Sequence, residues 1–138
     1  MHIVNFWAIL VAAVVAFIVG SIWYSPVLFG KEWMALTGMT EKEIAAARTK
    51  GGMWKPYLAQ FVGTLVSFIV LGFIVAAASG VTAADGAFMG FLVWLGFGAT
   101  FALGSFLWEK KPMKLLVIQG AYSLLTLVIG GAIIGVWH

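Results

Sequence analysis

The chain reads as an all-α membrane protein: four transmembrane helices in a compact bundle, with one short amphipathic cytoplasmic helix. Three observations predict this. First, 63% of its 138 residues are hydrophobic and 9% are charged, with a mean hydropathy of +1.07; no water-soluble fold of this size hides that much apolar surface. Second, the apolar residues gather in four runs, about 3–25, 56–79, 87–108 and 115–137, each long enough at 1.5 Å rise per residue to cross a hydrocarbon core of roughly 30 Å. Third, the runs are continuous rather than alternating, which selects helices over a barrel, because a single segment in lipid satisfies its own backbone only as a helix. One domain, 1–138, follows, with the loop 26–55 as its only sizeable extramembrane piece.

Charge sets the expected orientation. All eight Lys and Arg residues fall in two segments: Lys31, Lys42, Arg48, Lys50 and Lys55 between the first two runs, and Lys110, Lys111 and Lys114 between the last two. Cytoplasmic loops retain Lys and Arg, so both termini and the loop near 80–86 are expected outside the cytoplasm. The net charge of +3 then sits at the inner rim, where it suits anionic lipid headgroups and implies no nucleic acid. The absence of cysteine removes disulfides and thiolate chemistry. The first run lacks a basic leader and ends in Trp23-Tyr24-Ser25-Pro26 instead of a small-residue cleavage site, so it is read as a permanent helix.

Taken in order, helix one carries Ala8, Ala12, Ala16 and Gly20 at four-residue spacing, a ridge over which another backbone can approach closely. The loop that follows holds Thr40-Glu41-Lys42-Glu43, a capping box, then Arg48 and Lys50 and finally Gly51-Gly52, which together predict a short helix from about Glu41 to Lys50 at the cytoplasmic interface. Before it, Phe29, Trp33, Met34 and Leu36 make the chain apolar enough to rest on the membrane. Helix two has Ala59, Gly63 and Ser67 at the same spacing, helix three has Gly90, Gly98 and Ala102, and helix four has Gly131 and Gly135. Between helices two and three, Thr82 and Asp85 have capping-box spacing within a tight outer turn. Trp7 and Trp137 mark one interface and Trp23, Trp33, Trp54 and Trp108 the other, as aromatic belts do.

Little here points to catalysis. No Asp, Glu, Lys or Arg lies in the central part of any run, which argues against a proton-coupled exporter. The intramembrane polar residues Gln60, Thr100, Gln119 and Ser123 read first as interhelical hydrogen-bonding groups. Glu109 is expected to meet Lys31 or Lys55 across the inner rim; a hydrolase would need a second acid or a histidine beside it. His2 and His138 lie at the two ends, a poor basis for metal geometry. No enzyme activity, metal or cofactor is expected.

The densest cluster of special residues runs from Trp23, Tyr24, Ser25 and Pro26 through Gly30 and Lys31 to Trp33. Pro26 disfavours a helical Ser25 and Gly30 permits a turn, so the segment is expected to fold back under the bundle as a collar. Glu109, Lys111, Lys114 and Tyr122 lie at the same depth as plausible neighbours. This run, with Asn5-Phe6-Trp7-Ala8-Ile9, resembles the signature of an uncharacterised bacterial membrane protein family, domain of unknown function 1761. Gly90 to Phe97, Trp108 to Leu115, and Ile118, Gln119, Ala121 and Tyr122 extend the resemblance over nearly the whole chain. It implies a four-helix protein of the bacterial inner membrane and brings no activity, substrate or cofactor. The function expected is therefore a non-enzymatic packing, scaffold or accessory subunit that forms a homo-oligomer or joins a larger membrane complex and binds anionic lipid at the collar. The alternative is a small oligomeric channel with a polar path between protomers.

Overall fold

The computed structural model of the chain describes residues 4–40, 42–43, 45–46, 54–79 and 82–137. These form α1 (Phe6–Trp23), α2 (Gly30–Thr37), α3 (Trp54–Ala77), α4 (Ala83–Val93), a π-helical segment (Trp94–Ala99), α5 (Thr100–Trp108) and α6 (Met113–Val136). Among the described residues, four apolar helices are long enough to cross a membrane, the third being α4, the π segment and α5 in series. The protein is an all-helical, multi-pass membrane protein, as the four runs require.

The ends of these helices follow local chemistry. Asn5 caps α1, its side-chain oxygen accepting from the amides of Trp7 at 2.9 Å and Ala8 at 3.4 Å. α3 starts at Trp54, two residues ahead of the expected 56, because Pro56 falls in the first turn, where a backbone donor has no intrahelical acceptor. The Thr82–Asp85 capping box is complete, with bonds of 3.0 and 3.2 Å. It therefore opens a helix at Ala83 rather than closing a turn at 86, so Gly86 is helical.

Residues 30–37 and the third span differ from expectation. Residues 30–37, expected to rest on the membrane with no helix of their own, form α2, with Gly38 at φ 78° as its left-handed stop. Phe29, Trp33 and Leu36 share one face at helical spacing, which gives the short helix something to pack. Of the helix expected over 41–50, residues 42–43 and 45–46 are helical and the Glu43 amide donates to the Thr40 hydroxyl at 3.1 Å; the remainder lies outside the described residues. The third span is also not one regular helix. It is interrupted by the π segment, whose Gly96 and Gly98 carry no side chain to resist the wider turn.

α6 is the centre of the bundle, packing against α1, α3, α4 and, more lightly, α2 and α5. One seam joins α1, α3 and α6: Ile9, Ala12, Ala13 and Ala16 meet Phe68, Leu71 and Val75, closed by Ile134. Alanine on α1 lets the large side chains of α3 lie against its backbone. The other seam, α4 on α6, has almost no side chains. A Cβ added to Gly86 would fall on the Gly131 carbonyl, one on Gly90 would meet the Leu127 carbonyl, and one on Gly135 the Thr82 carbonyl. The two backbones touch directly, the kind of contact that holds helices together where lipid removes any hydrophobic preference for protein over solvent.

Candidate functional site

The candidate site is the collar at the lysine-bearing end of the bundle. After α1 the chain reverses through hydrogen bonds from the amides of Leu28 and Gly30 to the Ser25 carbonyl, at 3.1 and 2.9 Å, and from Phe29 to the Trp23 carbonyl at 3.0 Å. The Ser25 hydroxyl adds a bond to the Ile22 carbonyl at 2.6 Å. Gly30 is buried in this turn; a Cβ there would strike the Tyr24 carbonyl and lie 2.8 Å from the Ser25 carbonyl. Glycine is thus required for close approach, and α2 begins where the reversal ends.

Aromatic rings tie α1, α2 and α6 together. The Trp23 indole donates to the Ile118 carbonyl of α6 at 3.1 Å and its ring lies 4.7 Å from Phe29. Tyr24 stands edge-on to Tyr122 at 5.4 Å and to Trp33 at 6.0 Å. The Tyr122 hydroxyl crosses to α1, donating to the Ala16 carbonyl at 3.1 Å over the bare surface of Gly20, where an added Cβ would be 2.8 Å from it. Trp23 and Trp33 are half-buried parts of this cluster, whereas Trp7, at 70% exposure, and Trp108, at 85%, stand free as interfacial anchors.

The charged rim is arranged differently from expectation. Glu109 pairs with Lys111, two residues on, at 3.1 Å, and not with Lys31 or Lys55. Lys114 reaches Glu32 on α2 at 3.5 Å, an acid the sequence reading passed over. Both pairs are about half exposed, so each contributes at most ~1 kcal/mol. Lys55 lies over the Trp54 ring, 5.6 Å from its centre. Lys31 and Lys110 are exposed and in no ion pair among the described residues.

The intramembrane polar residues do not converge. Thr100 donates to the Gly96 carbonyl at 2.8 Å, Thr64 to Gln60 at 2.9 Å and Ser67 to Gly63 at 3.1 Å, each within its own helix. Ser123 donates to the Gly120 carbonyl at 2.9 Å and accepts from the Trp94 indole at 3.1 Å, and that indole also donates to the Gly120 carbonyl at 2.9 Å. Trp94, set apart in the sequence only by its mid-span position, thus clamps the π segment to α6. Among the described residues the Gln60 amide bonds to Thr64, at 3.4 Å, and both it and Gln119 lie on outer faces of the bundle. Among the ridge residues, Ala8, Ala12 and Ala16 are buried and Gly131 and Gly135 form the α4 seam. Gly63 has open space where a side chain would go, and a Cβ on Gly98 would have Trp94 of its own segment as its nearest neighbour.

Beside the clamp, α5 diverges from α6 and leaves an apolar groove of about 400 Å³ whose walls include Trp94, Leu103, Phe106, Met113, Val117 and Gly120. Nothing in the sequence pattern marked this groove, since its walls come from two spans that are apolar all round. Among the described residues, no group of three or more His, Asp or Glu comes together.

A family model described as "Protein of unknown function (DUF1761)" matches residues 7–135. No curated protein and no solved structure matches the chain.

Proposed function

Because the chain belongs to DUF1761, a family of proteins of unknown function, over residues 7–135, and carries four helices of membrane-spanning length, we propose a non-enzymatic accessory or scaffold role. In this reading it is a multi-pass protein of the bacterial inner membrane, with both termini outside, that associates with a second copy or a larger membrane complex. It seats anionic lipid at its basic collar. The observation that carries the assembly part is the outer face of α3. Ala59, Gly63 and Ser67 recur there every four residues beside the exposed amide of Gln60, and a Cβ on Gly63 would meet nothing within 4 Å among the described residues. A carboxamide facing hydrocarbon lacks water to bond with, and small residues beside it let another helix come close enough to supply a partner.

A pore between protomers draws less support, because the hydroxyls of Thr64, Ser67 and Thr100 are engaged by carbonyls of their own helices. Gly63→Leu is expected to weaken self-association at least ~10-fold, equal to about 1.4 kcal/mol, in native mass measurements from nanodiscs, without loss of insertion. Unchanged assembly would show that this face meets only lipid. Orientation has its own test: reporter fusions after His138 should read as periplasmic and those near Gly51 as cytoplasmic, and the opposite result at both overturns it.

A further inference from the structure

We propose that the groove between α5 and α6 holds one fatty chain of an anionic phospholipid, whose headgroup is met by Lys110 on the loop that joins the two helices. The proposal deepens the lipid part of the reading above and rests on it, while moving the site from the α2 collar to the far side of α6.

Dimensions select the occupant. Along α6 the walls run from Met113 to Leu124, which at 1.5 Å per residue is roughly 16 Å. That matches one leaflet, about half of the ~30 Å hydrocarbon core. A volume of about 400 Å³ over that length, between apolar walls, accommodates a single alkyl chain.

Chemistry agrees with that choice. The deep end is formed by Trp94, whose indole N–H is already taken by the Gly120 carbonyl and the Ser123 hydroxyl. It therefore presents only its apolar ring. The opposite end lies at Phe106 on α5 and Met113 on α6, the two lining residues between which the loop 109–112 falls. That loop and the start of α6 carry Lys110, Lys111 and Lys114 against the single acid Glu109. Lys111 is neutralised by Glu109 and Lys114 by Glu32. Lys110 is left, held at a left-handed φ of 56° in a turn closed by the Lys111 amide on the Ser105 carbonyl at 3.4 Å. An exposed cation on the loop that joins the two end residues of an apolar slot one leaflet deep is the complement of a lipid with a negative headgroup.

The test uses full-length protein, titrated with phosphatidylglycerol or phosphatidylcholine and read by native mass spectrometry. Gly120→Leu fills the groove from its wall without straining the backbone, since a Cβ at Gly120 meets nothing within 4 Å among the described residues. Val117→Trp, at an exposed position of the same wall, is the second filling variant should the first fail to insert. The wild type is expected to retain phosphatidylglycerol at least ~10-fold over phosphatidylcholine. Either filling variant should lose that lipid ~10-fold or more, and Lys110→Gln should bring retention down to the phosphatidylcholine level. No preference in the wild type would overturn both this site and the lipid-binding reading. A preference kept by both filling variants but lost in Lys31→Gln would overturn the groove and leave the collar reading standing. A preference kept by Lys110→Gln would overturn the headgroup assignment and the proposal with it. Filling variants that split an oligomer without losing lipid would show the groove to be an interface between copies and overturn it too.

Discussion

Gly131→Leu is expected to unseat α4 from α6 and to cost more stability than any substitution of a side-chain-lined position. The new Cβ falls on the Gly86 carbonyl oxygen and within 2.9 Å of its carbon. Cβ is fixed by the backbone and its neighbour is backbone as well, so no change of rotamer relieves the clash. Overpacking a core typically costs ~1–3 kcal/mol, because side chains share the strain. Here the helices themselves must separate, and the linked approaches of Gly90 to Leu127 and Gly135 to Thr82 are lost together. Reversible unfolding in mixed micelles should therefore show a loss above ~3 kcal/mol, with Gly86→Leu close to it. The double variant should cost less than the two losses added, since both changes relieve themselves by the same separation. Gly104→Leu, with open space at its Cβ, should stay within about 0.5 kcal/mol. A Gly131→Leu protein within ~1 kcal/mol of wild type would mean that the glycine seam is not what holds α4.

The second large effect is expected at Ala12→Leu, on the ridge of α1. Ala12 is 1% exposed, set among Ile9, Phe68 and Leu71, so three added carbons have no room and should cost about 1–3 kcal/mol. Phe68→Ala, which empties the largest fully buried side chain, 2% exposed, gives the informative contrast. In a soluble protein such a deletion costs about 3–5 kcal/mol, part of it the transfer of the ring out of water. In a membrane the unfolded reference already keeps Phe68 in lipid, so only the lost packing remains and the cost should fall below ~3 kcal/mol. Val14→Leu, on the exposed face of α1, should be nearly silent. The expected order in the same unfolding assay is Gly131→Leu, then Ala12→Leu, then Phe68→Ala. If Phe68→Ala proved the costliest, apolar burial rather than close backbone approach would be holding the bundle.

The candidate site was only partly legible. The turn at Pro26 and Gly30 could be read because each residue's own backbone limits mark it. The partner of Glu109 could not, since a lysine two residues away and lysines on distant segments look alike until the chain is folded, and the Glu32–Lys114 pair joins residues from opposite ends of the sequence. The apolar run begins at 87 and so leaves Gly86 in the loop, whereas the capping box at Thr82 starts the helix at Ala83 and includes it; that Gly86 then faces Gly131 is a tertiary fact.

By itself the sequence determined that this is a membrane protein with four spanning helices, where those helices begin and end to within a few residues, and that α1 carries a small-residue ridge. Those properties belong to each segment alone: the length of an apolar run, the transfer of its side chains into lipid, and the satisfaction of its own backbone. Only the tertiary structure decided that α6 is the hub, that α4 lies on it glycine to glycine, that Trp94 pins a π turn to Gly120 and Ser123, and that α5 diverges to open a groove. In water an apolar stripe would have pointed each helix toward its neighbours. In lipid both faces are apolar, so hydrophobicity does not label the inward one; small residues mark it on α1, where Ala8, Ala12 and Ala16 are buried, but not on α3, where Gly63 is left open, and the choice of partner falls to how closely two particular backbones can approach.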